Sequence, residues 1–98
     1  MKNLKISEAV SKKLQDKHGV TRAEIEQCFL NRCGAMLIDT REKHRTDPAT
    51  RWFLAKTNRG RVLKIVYIPL DGGLVLRTAY DANPVERGIY ARHGGVTY

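Results

Sequence analysis

Three strand-like runs joined by two tight-turn signals constrain the fold of this chain more than any other feature. Residues 51–57, 61–68 and 74–80 are rich in apolar and β-branched side chains, with Val62, Ile65, Val66 and Ile68 in the middle run. Asn58-Arg59-Gly60 separates the first pair and Asp71-Gly72-Gly73 the second. Links this short permit only antiparallel neighbours, because parallel strands need a long crossover. A meander is therefore expected in the second half of the chain. Ala35 to Ile38 adds a strand ahead of it, followed by a charged loop from Asp39 to Asp47 that Pro48 closes.

The first third carries a different period. Ser7 is placed to cap a helix, and Ile6, Val10 and Leu14 recur every four residues beside Ala9, which predicts a helix to about Lys17. Gly19 is placed to end it in the left-handed conformation. Thr21 and Glu24 have the spacing of a capping box, with Val20 and Ile25 at the staple positions, so a second helix starts at once. Ile25, Cys28 and Phe29 form its apolar face, and Gly34 is its expected stop. Asn3 to Ile6 reads as a short edge strand. A third helix is signalled by Asn83 as cap, Pro84 in the first position and Glu86 completing a second capping box. Val85 and Ile89 are expected to face inward, with Gly94 and Gly95 ending the helix.

The sum is one α+β domain over residues 1–98. It has an antiparallel four- to five-stranded sheet, two N-terminal helices packed on one face, and a C-terminal helix. The helices are expected to cover one face, leaving the other for function or for a partner. The longest apolar stretch, Ile65 to Leu70, is strand-sized, so no membrane span is expected. The Lys-rich start lacks the apolar run of a signal peptide, so Cys28 and Cys33 are expected as free buried thiols in a cytoplasmic setting.

Charge narrows the partners. Lys and Arg number 18 against 10 Asp and Glu, a formal net charge of +8. Such an excess favours phosphate-rich partners, RNA first among them, or an acidic protein. No metal or other cofactor is expected. His18, His44 and His93 lie in three separate segments without ligand spacing, and the Cys28–Cys33 spacing is too wide for a zinc knuckle. No Gly-rich phosphate loop or nucleophile elbow is present.

What remains is a set of basic and phenolic side chains near the meander. Lys56, Arg59, Arg61, Lys64, Arg77, Arg87 and Arg92 are accompanied by Tyr67, Tyr80 and Tyr90. Arg grips phosphate through a planar fork, and Tyr stacks on bases or donates a proton. The same mixture suits RNA cleavage without metal, which needs a base for the 2′-OH, cations for the phosphorane and an acid for the 5′-oxygen. It equally suits the polar face of a half-solvated sheet. Arg77 and Lys64 stand out because each interrupts an apolar strand. Tyr80 ends a strand beside a helix start. His93 can be an acid or base, or can simply offset the dipole of the last helical turn. Trp52 is expected in the core, Gly88 at a close packing contact, and the 41–45 charge run in solvent.

Lys17-His18-Gly19-Val20 between two helices resembles the BrnT-like toxins of bacterial toxin–antitoxin systems. So do Arg59-Gly60-Arg61-Val62-Leu63, the strand Leu74 to Tyr80, and Glu86 and Tyr90 in a final helix. The resemblance covers most of the chain in the same element order. It implies a RelE-like fold and a metal-independent endoribonuclease neutralised by a cognate antitoxin. Where such chains end the last strand with Ser-Ala-Arg, this one has Thr78-Ala79-Tyr80. Under this reading Arg77, Lys64 and Arg61 hold phosphate and stabilise the transition state, and Tyr80 or His93 transfers protons. Arg59, Lys56, Arg87 and Arg92 extend the RNA contact. Two alternatives stay open: a basic module that binds nucleic acid without cleaving it, and a domain whose partner is an acidic protein or a second copy of the chain.

Overall fold

The computed structural model describes residues 1–40 and 48–98. Most of the charged loop, including the 41–45 run and His44, lies outside the described residues. Strand β1 (Leu4–Lys5) leads into helix α1 (Glu8–Lys13), which continues as a wider π-helical turn over Leu14–His18. Helix α2 (Arg22–Asn31), the short strand β2 (Leu37–Ile38) and the long strands β3 (Arg51–Lys56), β4 (Val62–Leu70) and β5 (Gly73–Asp81) follow, then helix α3 (Pro84–His93). The sheet order is β1-β5-β4-β3-β2.

The meander forms as its turn signals require, with β3–β4 and β4–β5 antiparallel and β2 antiparallel to β3. The sheet is nevertheless mixed, not purely antiparallel. β1 lies parallel to β5, pairing Leu4 with Leu74 and Lys5 with Val75. The chain between these parallel partners includes the helical hairpin and strands β2, β3 and β4, far more than the crossover length a parallel pair needs. β1 pairs β5 only at its first residues, so no strand flanks the outer edge of Leu76–Asp81 among the described residues.

Helix boundaries follow their caps. Ser7 accepts from the Val10 N–H, and Thr21–Glu24 and Asn83–Glu86 both close reciprocal capping boxes. The first helix does not run regularly to Lys17, because its last turn widens. The Val20 N–H reaches back to the Leu14 carbonyl, and Gly19 sits at φ 59°. Gly34 is not the stop of α2, which ends at Asn31. A Cβ at Gly34 would come within 2.6 Å of the Tyr90 hydroxyl, so the glycine admits α3 instead.

Sheet register assigns the two faces. Phe53–Ile65–Ala79 and Ala55–Leu63–Asp81 are rows on one side, and Trp52–Val66–Thr78 and Leu54–Lys64–Tyr80 on the other. On the first side, Phe29 of α2 packs edge-on against Phe53 and Tyr67, over a core that holds Leu14, Val20, Ile25 and Cys28. Burial pushes the Cys28 thiol up to about 12, whereas Cys33 is exposed and not buried as expected; both are free. On the second side, Tyr90 of α3 packs on Trp52, and its hydroxyl donates to the Ala35 carbonyl at 2.7 Å. The helices therefore do not share one face: α3 covers part of the other. Trp52, Phe53, Leu54 and Ala55 are all buried, as a strand covered on both sides demands. Within α3, Glu86 and Tyr90 are buried, and Ile89 packs half-buried against the core as expected. Val85 is 71% exposed, contrary to its expected place, and a Cβ at Gly88 would meet open space rather than a close contact.

Candidate functional site

The row Leu54–Lys64–Tyr80 runs beneath the start of α3 and gathers the most unusual side chains of the molecule. Lys64 is only 7% exposed. Its Nζ lies 2.9 Å from Glu86 Oε2 and 4.7 Å from the centre of the Trp52 ring. The Tyr80 hydroxyl donates to the same Oε2 at 2.7 Å. The other carboxylate oxygen, Oε1, accepts the Asn83 N–H of the capping box at 3.1 Å. Burial pushes the Glu86 carboxyl up, but the hydrogen bonds from Tyr80, Lys64 and Asn83 outweigh it and hold the group below the usual carboxylate range. Enclosing this charged pair is tolerable because both carboxylate oxygens accept hydrogen bonds, Oε2 from Tyr80 beside the Lys64 ammonium and Oε1 from the Asn83 N–H.

The group opens on a cleft of about 900 Å³ along the side of α3. Trp52 and Lys64 line it, together with Glu86, Ile89 and His93 of α3 and Met36 to Thr40 around β2. Beyond it Thr78, Ile68 and Val75 are half-buried, on the part of this face that α3 leaves open. Among the described residues no three His, Cys, Asp or Glu side chains gather as metal ligands would, and no helix is long and apolar enough to cross a membrane.

The residues singled out from sequence divide into three groups. Lys64 and Tyr80 meet at one carboxylate, and His93, exposed in the last turn of α3, lines the same cleft. Arg77 stands exposed on β5 at a register step: Val66 pairs with Thr78 but Tyr67 with Leu76, so Arg77 is the extra residue of a bulge. Simple alternation therefore does not fix its side relative to Tyr80. Lys56 and Arg59 sit exposed at the β3–β4 turn, with Lys56 Nζ 5.9 Å from the Tyr98 ring. Arg92 is exposed on α3, and half-buried Arg87 donates to the Ala82 carbonyl at 3.4 Å.

Arg61 is engaged inside the molecule, on the α2 side of the sheet. Its guanidinium forks onto Asp81 at 2.8 and 2.9 Å and reaches Glu24 at 3.2 Å. It also donates to the carbonyls of His18, at 2.7 Å, and Gly19, at 2.9 Å. The Asp81 hydrogen bond strengthens the hold of Arg61 on its proton, and Arg61 in turn keeps the Asp81 carboxyl below its ordinary range. This clamp fixes the end of the π-helical turn against the last residues of β5. The His18 ring consequently meets the Tyr80 ring edge-on, with centroids 5.7 Å apart.

Two members of this arrangement were not picked out by sequence reasoning. In the sequence Glu86 marks a capping box and a short motif with Tyr90 in the final helix, which accounts for Oε1 and says nothing of Oε2. His18 belongs to the Lys17-His18-Gly19-Val20 motif and lacks ligand spacing, and neither feature marks it as a neighbour of Tyr80. Their signals lie in tertiary contacts, although a lysine inside an apolar strand does announce that a buried carboxylate must exist somewhere to meet it.

A scan against protein-family models finds no match to this chain, and a search of curated proteins finds no similar protein.

Proposed function

We propose that this protein is a BrnT-like domain of the RelE-like class that acts on RNA, cleaving it without metal on the cleft side of the sheet. The observation that carries this reading is the Lys64–Glu86–Tyr80 group. It joins a cation in the lining of an open cleft to a phenol held on the same carboxylate, on a molecule with a net charge of +8. Ammonium and phenol are the donors that stabilise a phosphorane's equatorial oxygens. Glu86 holds both in place and, ionised, keeps the local charge balanced until a phosphate arrives. Exposed Arg77 and Arg59 steer the strand, and an acidic antitoxin would occupy the same basic surface. The setting proposed is the cytoplasm.

The test is incubation of the purified protein with mixed-sequence RNA in the presence of chelator. Cleavage is expected, with products ending in a 2′,3′-cyclic phosphate. Tyr80→Phe should slow it by about 100-fold, the lower end of what one acid–base group contributes. RNA left intact across the pH range, or a Tyr80→Phe variant as fast as wild type, would overturn the reading. A second reading, RNA binding without cleavage, is favoured by one observation: Lys64 and Arg61 both already hold carboxylates. It predicts salt-dependent binding and no products.

A further inference from the structure

The proposed reaction needs a group that takes the 2′-hydroxyl proton near neutral pH, and the position of His93 suits it poorly. Seven residues separate Glu86 from His93 along α3, roughly 10 Å at the rise of a helix. His93 thus lines the cleft two turns along α3 from the Glu86 carboxylate that holds Lys64 and Tyr80. His18, by contrast, is brought to the Tyr80 ring from the opposite end of the sequence. Three features hold it there. The π-helical turn widens the helix at Leu14–His18, a device frequent at functional sites. Gly19 turns the chain at φ 59° directly after it. Arg61, itself forked onto Asp81, grips the His18 and Gly19 carbonyls. The result is a half-buried imidazole beside Tyr80, near the outer edge of β5 that no strand pairs beyond Val75 among the described residues.

We propose that His18 is the imidazole that touches RNA in this site, and that Arg61 is its positioning residue rather than a phosphate ligand. This rests on the cleavage reading above. In the step, the neutral ring accepts the 2′-OH proton as the 2′-oxygen bonds to phosphorus. The bond from phosphorus to the 5′-oxygen breaks, and that oxygen takes a proton from solvent water. The imidazolium then returns its proton to the resulting hydroxide, so both histidine and water are restored. The charged groups that the structure brings to His18 are Asp81 from β5 and Arg61, the residue before β4, with the Tyr80 phenol beside the ring. Asp81 and Arg61 neutralise one another, leaving a setting in which an imidazolium and a phosphate can coexist.

The experiment has two arms on the full chain. In the first, ring-proton NMR signals of His18 and His93 are followed while a 2′-O-methyl RNA oligomer, which cannot be cleaved, is added. His18 signals should move. No movement at His18 when the oligomer binds overturns the proposal whether or not the protein cleaves RNA. In the second arm, His18→Gln should lose about 100-fold or more in cleavage rate and the acid limb of the pH–rate profile, the scale of one general base. Arg61→Gln should lower the rate yet leave the salt dependence of RNA binding unchanged, which a phosphate ligand could not do. A His18→Gln protein that is folded and cleaves at the wild-type rate sinks the assignment while leaving the cleavage reading intact. Wild-type protein that leaves RNA whole removes the cleavage reading and with it the proton-transfer role of His18; the first arm then decides its contact with RNA alone.

Discussion

Capping residues at the third position of a helix usually face water, and Glu86 does not. One of its oxygens closes the capping box while the other receives Lys64 and Tyr80. Truncating it therefore removes a cap and strands a buried ammonium together. Glu86→Ala is expected to cost about 3–5 kcal/mol at pH 7, measured by urea unfolding. The sign with pH follows from the lowered carboxyl. Its stabilising contribution is complete above the unfolded value of roughly 4.3 and is lost as pH falls through the lower folded value. The gap between wild type and Glu86→Ala should therefore narrow in unfolding curves taken near pH 3. Replacing both partners, Lys64→Met with Glu86→Leu, should cost less than Glu86→Ala alone, because no charge is left buried without its counterpart. The lysine was legible in the sequence as an outlier, but its partner was not. Twenty-two residues separate the two, and only the path of α3 brings them together.

At the scale of elements, the caps and turns were the most readable parts, since each depends on two or three neighbouring residues. Thr21→Ala should lower stability by about 1 kcal/mol, seen as a fall in Tm of roughly 4–8 °C for a domain this small. Asn83→Ala should do at least as much. The face that α3 takes was missed, although its signal was present. Trp52 to Ala55 and Val62 to Val66 lack the alternation of a half-exposed sheet, apart from Lys64, which means both faces are covered. The parallel β1, the widened turn at Leu14–His18 and the bulge at Arg77 left no local mark, because each is imposed by a partner distant in sequence. Two glycines separate local preference from packing. Gly34→Ala drives a methyl group into Tyr90 and Gly94 and should destabilise by about 1–3 kcal/mol. Gly88→Ala adds a methyl group in open space within a helix and should stabilise by up to about 1 kcal/mol. Thermal unfolding of the pair reads both signs in one series.

For the molecule as a whole, the net charge of +8 was plain from composition, but its distribution was not. Arg61 is spent on internal partners, whereas Arg59 and Arg77 remain exposed. RNA affinity measured against salt should accordingly lose about one unit of slope for each of Arg59→Ala and Arg77→Ala. The covering of the second face also sets the order in which the domain can become whole during synthesis. Until residues 84–93 have left the ribosome, Trp52 and Leu54 have no helix above them, and the carbonyl of Ala35 lacks the phenol that ties α3 down. A nascent chain ending short of α3 would carry a half-clad, sticky sheet with an unpaired lysine in its middle. Such an intermediate would draw chaperones, and the site would stay unassembled until translation had passed its last helix.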